Sequence, residues 1–302
     1  MLYDIRQTTT YTYGAPVRAA RQVMRMTPVD RGSHQHVIAH LLDTKPEPSE
    51  IEHGVDFFGN AICYVTFEAA HETLGITMRA RIEVHQVPLP DPMTTPVVDV
   101  VRALAFASTD LSPASPVHGL FPTRGVPLDP VITDWTAESC PEDRPILAAA
   151  MEVMHRIKEG FTYQPGATDV TTLPSEAFAA KTGVCQDFAQ VMIAGLRGLG
   201  LPARYVSGYL RTVPPPGQER LSGADATHAW VEVWCGPDIG WIGLDPTNAI
   251  PAGEDHIILA IGRDYADVSP VDGVIVASGD HQLAVGVDVI PVERPQAEAP
   301  AS

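Results

Sequence analysis

Residues 183–190, GVCQDFAQ, open an apolar segment that decides the fold of the domain around them. The residues that follow are strong helix formers, and Gly198 near the end of the segment is a typical helix stop. The pattern predicts a helix that begins at or near Cys185. Because Asp187 and Arg197 are its only charged residues, we expect this helix to be buried at the centre of a domain.

A cysteine at the start of a helix is well placed for nucleophilic chemistry. Unpaired N–H groups and the positive end of the helix dipole favour the thiolate there, and the same groups can bind the oxyanion of a tetrahedral intermediate. An ordinary thiol is mostly protonated near neutral pH. A nucleophilic Cys185 therefore needs a base, and the base needs a partner that selects its tautomer.

A predicted β-hairpin supplies both of these groups. Its strands show the alternation of apolar and polar residues, and residues 235–240 between them contain turn-forming Gly and Pro. If Trp234 pairs with Trp241, His228 lies diagonal to Asp245 on one face of the hairpin. A register two residues tighter places them directly opposite each other. Either register lets the carboxylate accept a hydrogen bond from the imidazole, whereas a one-residue slip separates them.

At these residues the sequence resembles the transglutaminase-like superfamily, whose core is a variant of the papain-like cysteine enzymes. The resemblance implies that Cys185, His228 and Asp245 form a catalytic triad. The segments that carry it are the nucleophile region 183–210, the histidine strand 227–234, the aspartate strand 240–248, and residues 256–273. Residues 13–17 and 56–60 also resemble the β-rich region that precedes this core in many bacterial members.

Four further residues are weaker candidates for the same site. Tyr163 and Gln164 precede the nucleophile helix and could supply an oxyanion donor or line the acyl site, the alternative being a loop that packs on the core. Trp230 and Trp241 could line a substrate slot, although packing of the sheet explains them better. No C-x-x-C pair and no H-E-x-x-H helix occurs in the sequence, so we expect neither a metal nor another cofactor.

Composition and charge narrow the classes of partner. The chain has 302 residues and a formal net charge of -17, which argues against a nucleic-acid or anionic-membrane partner. The thiol chemistry expected of Cys185 indicates a protein or peptide substrate. The N-terminal sequence lacks a basic region followed by an apolar one, so we expect a cytoplasmic protein. Four scattered cysteines are too few for a disulfide framework in a chain of this length.

The expected fold class is α+β with two domains. Residues 1–88 are predicted to form an antiparallel β domain, and residues 89–98 a proline-rich linker. Residues 99–292 form the predicted catalytic domain, with the nucleophile helix packed on an antiparallel sheet that strands within 257–292 would close. We expect residues 293–302 to be a disordered tail.

The most regular hydrophobic patterns in the sequence predict two individual strands and one helix. Residues 74–87 alternate apolar and polar side chains and predict a strand, and residues 62–67 predict a second one. Residues 145–158 have one apolar helical face, and Gly160 is the predicted helix stop.

Taken together, these features predict thiol-dependent acyl transfer or hydrolysis at a peptide or glutamine-type amide carbonyl. The triad alone does not select the group that resolves the thioester. Hydrolysis by a cysteine peptidase or amidase is the main hypothesis, because no amine-binding feature is visible. The alternatives are a true protein-glutamine transamidase and a non-enzymatic binding or scaffold protein.

Overall fold

Strands form the first part of the chain. The structure, a computed structural model, describes residues 1–212 and 226–292, so the predicted disordered tail lies outside the described residues. The N-terminal strands are β1 (Leu2–Val17), β2 (Ala19–Met24), β3 (Gln35–Lys45), β4 (Glu50–Val55), β5 (Ala61–Phe67) and β6 (His71–Val84).

Strand β6 shows why this region is a sheet. Every second residue from Leu74 to Val84 is buried, as expected for a strand with one face on a core. The strand pairs antiparallel with β1 on one side and β3 on the other. The predicted strands at residues 74–87 and 62–67 are therefore confirmed, the first of them ending at Val84 and the second forming β5.

The region predicted to be catalytic, referred to as the catalytic region, combines helices with a further antiparallel sheet. Its helices are α1 (Val98–Ala107), α2 (Pro130–Ala137), α3 (Ile146–Gly160), α4 (Pro174–Ala180), α5 (Cys185–Gly198) and α6 (Tyr265–Val268). Its strands are β7 (Thr162–Tyr163), β8 (Thr182–Gly183), β9 (Ala203–Leu210), β10 (Ala226–Trp234), β11 (Trp241–Asp245), β12 (Ile250–Pro251) and β13 (His256–Gly262). The main sheet is antiparallel, with strand order β12-β11-β10-β9-β13.

Helix α5 is the centre of this region, as its sequence predicts. It begins at Cys185, every residue from Asp187 to Arg197 is buried, and it packs on β9 and β10. Gly195 allows α2 to approach closely, because a Cβ at this position would lie 2.0 Å from Thr136 Oγ1. The expected α+β fold, with a nucleophile helix on an antiparallel sheet, is confirmed.

The last two strands return to the N-terminal sheets. Strand β14 (Val271–Val276) pairs with β2, and β15 (His281–Pro291) pairs with β1. The prediction that strands throughout 257–292 close the catalytic sheet is therefore correct for β13 and wrong for β14 and β15. Alternation of apolar and polar residues marks a strand, but it does not identify the sheet edge that receives it.

These additions complete two N-terminal sheets, whose strand orders are β15-β1-β6-β3 and β14-β2-β5-β4.

The C-terminal end of the predicted linker is part of the catalytic region. The backbone oxygen of Pro96 accepts a hydrogen bond from the N–H of Ile146, and α1 begins at Val98. Among the described residues, no helix has both the length and the apolar character that crossing a membrane requires.

The two regions share an apolar core. Tyr3, Ile5 and Met78 of the N-terminal sheet pack in one buried cluster with Tyr209 of β9 and Leu259 of β13. Within this cluster the Tyr209 hydroxyl donates a hydrogen bond of 2.6 Å to Gln7 Oε1. The catalytic sheet is therefore held in place by the N-terminal strands through buried contacts.

Candidate active site

Cys185 is the first residue of α5, as the sequence predicts. Val184 before it is extended, and its N–H donates a hydrogen bond of 2.7 Å to Asp187 Oδ2. The hydroxyl of Thr168 donates to the same oxygen at 2.6 Å. Asp187 thus ties the start of the helix to the preceding loop. The N–H groups of a first helical turn have no partners within the helix, so they can receive an oxyanion.

The hairpin register confirms the predicted pairing. Trp234 of β10 pairs with Trp241 of β11. His228 Nε2 lies 2.8 Å from Asp245 Oδ2, and because a carboxylate can only accept, the imidazole donates this hydrogen bond. The sequence-based expectation that these two side chains meet is therefore confirmed.

Cys185 lies close enough to His228 for the two side chains to interact, and this interaction favours the charged imidazole. Since Nε2 is used by Asp245, the ring nitrogen available to the thiol is Nδ1. Burial opposes charge on His228, but the interactions with Asp245 and Cys185 outweigh it and raise the pKa of His228 to about 9. An imidazolium beside a sulfur atom is the arrangement in which cysteine nucleophiles are activated.

The Asp245 carboxylate is fully buried and has several donors. Its Oδ1 accepts from the N–H groups of Thr247 and Asn248 at 2.9 and 3.2 Å, and its Oδ2 accepts from Asn248 Nδ2 at 2.7 Å. Burial raises the pKa of Asp245, but the hydrogen bonds from His228, His256 and Asn248 hold it well below its ordinary value. The carboxylate therefore shapes the turn after β11 and orients His228 at the same time.

His256, at the start of β13, is a residue that the sequence analysis did not single out. Its Nε2 lies 3.3 Å from Asp245 Oδ2, and its side chain is buried. The sequence feature that could have indicated its role is a histidine at the start of an apolar segment, eleven residues after Asp245. Such a residue can be recognised only when the position of the strand is known.

Ligand atoms of His228, Asp245 and His256 lie within 4.8 Å of one another, a spacing that could suit a metal ion. The hydrogen bonds favour a different arrangement. Gly253 N–H donates to His256 Nδ1 at 3.2 Å, so Nε2 carries the ring proton and faces the carboxylate. A metal bound at Nε2 would need this proton removed and the Gly253 contact broken.

Tyr163 and Gln164 lie beside Cys185, the predicted nucleophile. Strand β7 pairs with β8, and the backbone N–H of Gln164 donates to Gly183 O at 2.9 Å, two residues before Cys185. The Tyr163 ring contacts Phe188 of α5 edge to face. Burial raises the pKa of the Tyr163 hydroxyl, and the nearby Cys185 adds to the effect. Both residues therefore remain candidates for the acyl site.

Trp230 and Trp241 pack against other groups. Trp230 is buried, with its ring 5.2 Å from that of His256 and 6.2 Å from that of His228. The Trp241 ring lies under the Arg204 guanidinium and donates to Ala114 O. Both line a cavity of about 440 Å³ between the two regions, and within the described part of the chain no triad residue lines it. The packing interpretation thus fits both tryptophans better than a slot beside Cys185.

Known proteins resemble this chain along most of its length. The description "Bacterial transglutaminase-like N-terminal region" matches residues 3–83, and "Transglutaminase-like superfamily" matches residues 134–246. An uncharacterized protein of Mycobacterium tuberculosis is 36% identical over 297 residues, which cover 96% of this chain and 93% of that protein.

Two further matches differ in extent. A protein-glutamine gamma-glutamyltransferase of Pseudomonas aeruginosa is 31% identical over 130 residues, which cover 43% of this chain and 19% of that protein. The solved structure of a candidate cysteine protease from Cytophaga hutchinsonii has a TM-score of 0.73 at 22% identity, covering 98% of this chain and 92% of that one. These matches support a cysteine-enzyme-like function, and the chain belongs to the transglutaminase-like superfamily.

Proposed function

We propose that this protein transfers acyl groups through a thioester on Cys185, with His228 as general base and acid and Asp245 as its orienting partner. The observation that carries the proposal is the 2.8 Å hydrogen bond that His228 donates to Asp245, on a histidine whose pKa is raised by Asp245 and by the neighbouring Cys185. A cysteine, a base and a residue that selects the tautomer of the base are the parts that thiol catalysis requires.

The first half of the reaction forms the thioester. The Cys185 sulfur bonds to the carbonyl carbon of a peptide or glutamine-type amide, and the thiol proton moves to His228. The carbonyl electron pair shifts to the oxygen, which the N–H groups at the start of α5 stabilise. When this pair re-forms the carbonyl, the C–N bond breaks, and the amine or ammonia leaves with the proton from His228.

The second half releases the acyl group. His228 takes a proton from water, and the oxygen attacks the thioester carbon. The C–S bond breaks, the acid leaves, and Cys185 returns to its starting form. A primary amine in place of water would give a new amide by the same steps. Water is the acceptor in our main proposal, with a protein or peptide as substrate.

Transamidation of glutamine is the second candidate. The match to the Pseudomonas aeruginosa protein-glutamine gamma-glutamyltransferase across 130 residues favours it. Water and amine use the same triad, so the two reactions differ in acceptor access and water exclusion. A scaffold that lacks activity is the third candidate, and the assembled side chains argue against it.

One assay separates the three candidates. The protein is incubated with a glutamine-containing peptide library, with and without a fluorescent primary amine, and Cys185→Ser serves as the control. Ammonia or new peptide termini without amine incorporation would support hydrolysis, whereas incorporation of the amine would support transamidation. If the wild-type protein matches the Cys185→Ser control in every product, the proposed activity is wrong.

A further inference from the structure

His256 is buried at the back of the proposed triad. Its imidazole lies between the Asp245 carboxylate and the Trp230 ring, which it meets nearly at a right angle. His228 also contacts the Trp230 ring. The two histidines therefore reach the same carboxylate oxygen from different strands, β10 and β13.

The tautomer of His256 is set by the backbone. Because an N–H group can only donate, the contact from Gly253 requires an unprotonated Nδ1 on the ring. The proton is then on Nε2, which points at Asp245 Oδ2. His256 is thus a fixed donor to the carboxylate, and it leaves His228 as the donor on the side of the thiol.

The position of His256 is held from the N-terminal region. His34 Nε2 contacts the backbone oxygen of His256 at 3.2 Å. Ile258 follows His256 by two positions on β13, and its backbone forms two hydrogen bonds with the Gln35 side chain. Gln35 donates to Ile258 O and accepts from Ile258 N, both at 2.8 Å. The strand that carries His256 is therefore tied to the N-terminal region immediately beside the site.

We propose that His256 is a positioning residue that holds the Asp245 carboxylate in the orientation required by His228. This inference rests on the proposed function, because it assigns His256 to the triad of that site. Asp245 Oδ2 accepts from Asn248 Nδ2 and from His256 as well as from His228, so His256 adds a fixed donor that limits rotation of the buried carboxylate. His228 then stays aligned with Cys185, and the N-terminal region contributes to catalysis through β13.

The test measures the rate at which iodoacetamide labels Cys185 as a function of pH, followed by mass spectrometry. His256→Phe fills the space but cannot donate, so its labelling near pH 6 should be slower by about tenfold, and the acid limb of its profile should move to higher pH. His256→Gln keeps a donor and should retain most of the rate. Leu259→Val, a change in the apolar cluster on the same strand, is the control and should match the wild type.

An unchanged or faster rate in His256→Phe would overturn the inference, as would a His256→Gln rate as slow as that of His256→Phe. The labelling rate of Asp245→Asn is measured in parallel, because it tests the triad separately from the role of His256. If Asp245→Asn leaves labelling unchanged, the triad itself is wrong. If Asp245→Asn is slow and His256→Phe is not, the inference about His256 alone fails.

A measurement on the wild-type protein covers the case in which His256→Phe does not fold. Nitrogen-15 NMR of the imidazole rings, assigned by difference from His256→Gln, reports which nitrogen carries the proton. The Nε2–H tautomer is expected. An Nδ1–H tautomer would overturn the inference, because such a ring could not donate to Asp245.

Discussion

The side chain of Asn60 forms two hydrogen bonds with the main chain of Ile261, in the manner of a neighbouring strand. Its Nδ2 donates to Ile261 O and its Oδ1 accepts from Ile261 N, both at 2.8 Å. Asp56 and Arg31 bind the remaining positions of the amide. The residue ends the segment 56–60, through which the N-terminal region resembles its bacterial relatives, so this segment has a defined role in covering the edge of the catalytic sheet.

We expect Asn60→Leu to destabilise the fold. The change leaves the buried N–H and C=O of Ile261 without partners, and each unpaired group costs about 1 to 3 kcal/mol. The free energy of unfolding, from chemical denaturation, should fall by about 2 to 4 kcal/mol. Gln282→Leu on the exposed face of β15 is the control and should change it little. Equal stabilities for the two variants would contradict the pairing.

Cys185 should react with iodoacetamide near pH 6 much faster than Cys63, Cys140 or Cys235. These three side chains are buried, and burial raises the pKa of each thiol, to about 12 for Cys140 and Cys235. Mass spectrometry after a short pulse measures the difference. His228→Ala should slow the labelling of Cys185. If it does not, exposure alone explains the reactivity.

Asp245→Asn should slow the chemical step while the fold survives. An Asn oxygen can still accept from Thr247 and Asn248, which keeps the turn. The NH₂ group of the new Asn takes the place of Asp245 Oδ2 and cannot accept a hydrogen bond from His228. The side chain also has no negative charge to stabilise the imidazolium. Single-turnover acylation should fall by about 10²- to 10⁴-fold. A rate within about threefold of wild type, with unchanged circular dichroism, would reduce the unit to a Cys-His dyad.

The stability provided by His228 should depend on pH. Its pKa is raised from 6.5 to about 9 despite burial, through its interactions with Asp245 and Cys185. A raised pKa gives stabilisation that is fully present below about pH 6.5 and is lost as the pH rises through about 9. The difference in unfolding free energy between wild type and His228→Gln should therefore shrink between about pH 6 and pH 10. A difference that grows over this range would show that the imidazole is neutral when folded.

Chelators should leave the labelling rate of Cys185 unchanged. The Gly253 contact gives His256 a protonated Nε2 that faces Asp245, which suits a hydrogen bond and opposes a metal. The rate is measured after EDTA treatment and again after zinc is added. A loss on EDTA that zinc restores would show that the three side chains hold a metal.

Much of the site could be predicted from local pattern. Helix α5 begins at Cys185 because a turn residue precedes a run of helix formers with few charges. The pairing of Trp234 with Trp241 follows from the alternation of both strands and the short turn between them. Both features depend on residues close together in the chain, so the sequence by itself determined the contact of His228 with Asp245.

The tertiary structure decided what depends on distant partners. Strands β14 and β15 have the alternation of any half-buried strand, and only the fold shows that they pair with β2 and β1 near the other end of the chain. His256 reaches Asp245 from the first position of β13, a strand whose backbone is bound by Gln35 and Asn60 of the N-terminal region. Periodicity indicates which face of a strand is buried. The choice of partner depends on packing and hydrogen bonds between residues hundreds of positions apart, which no local pattern contains.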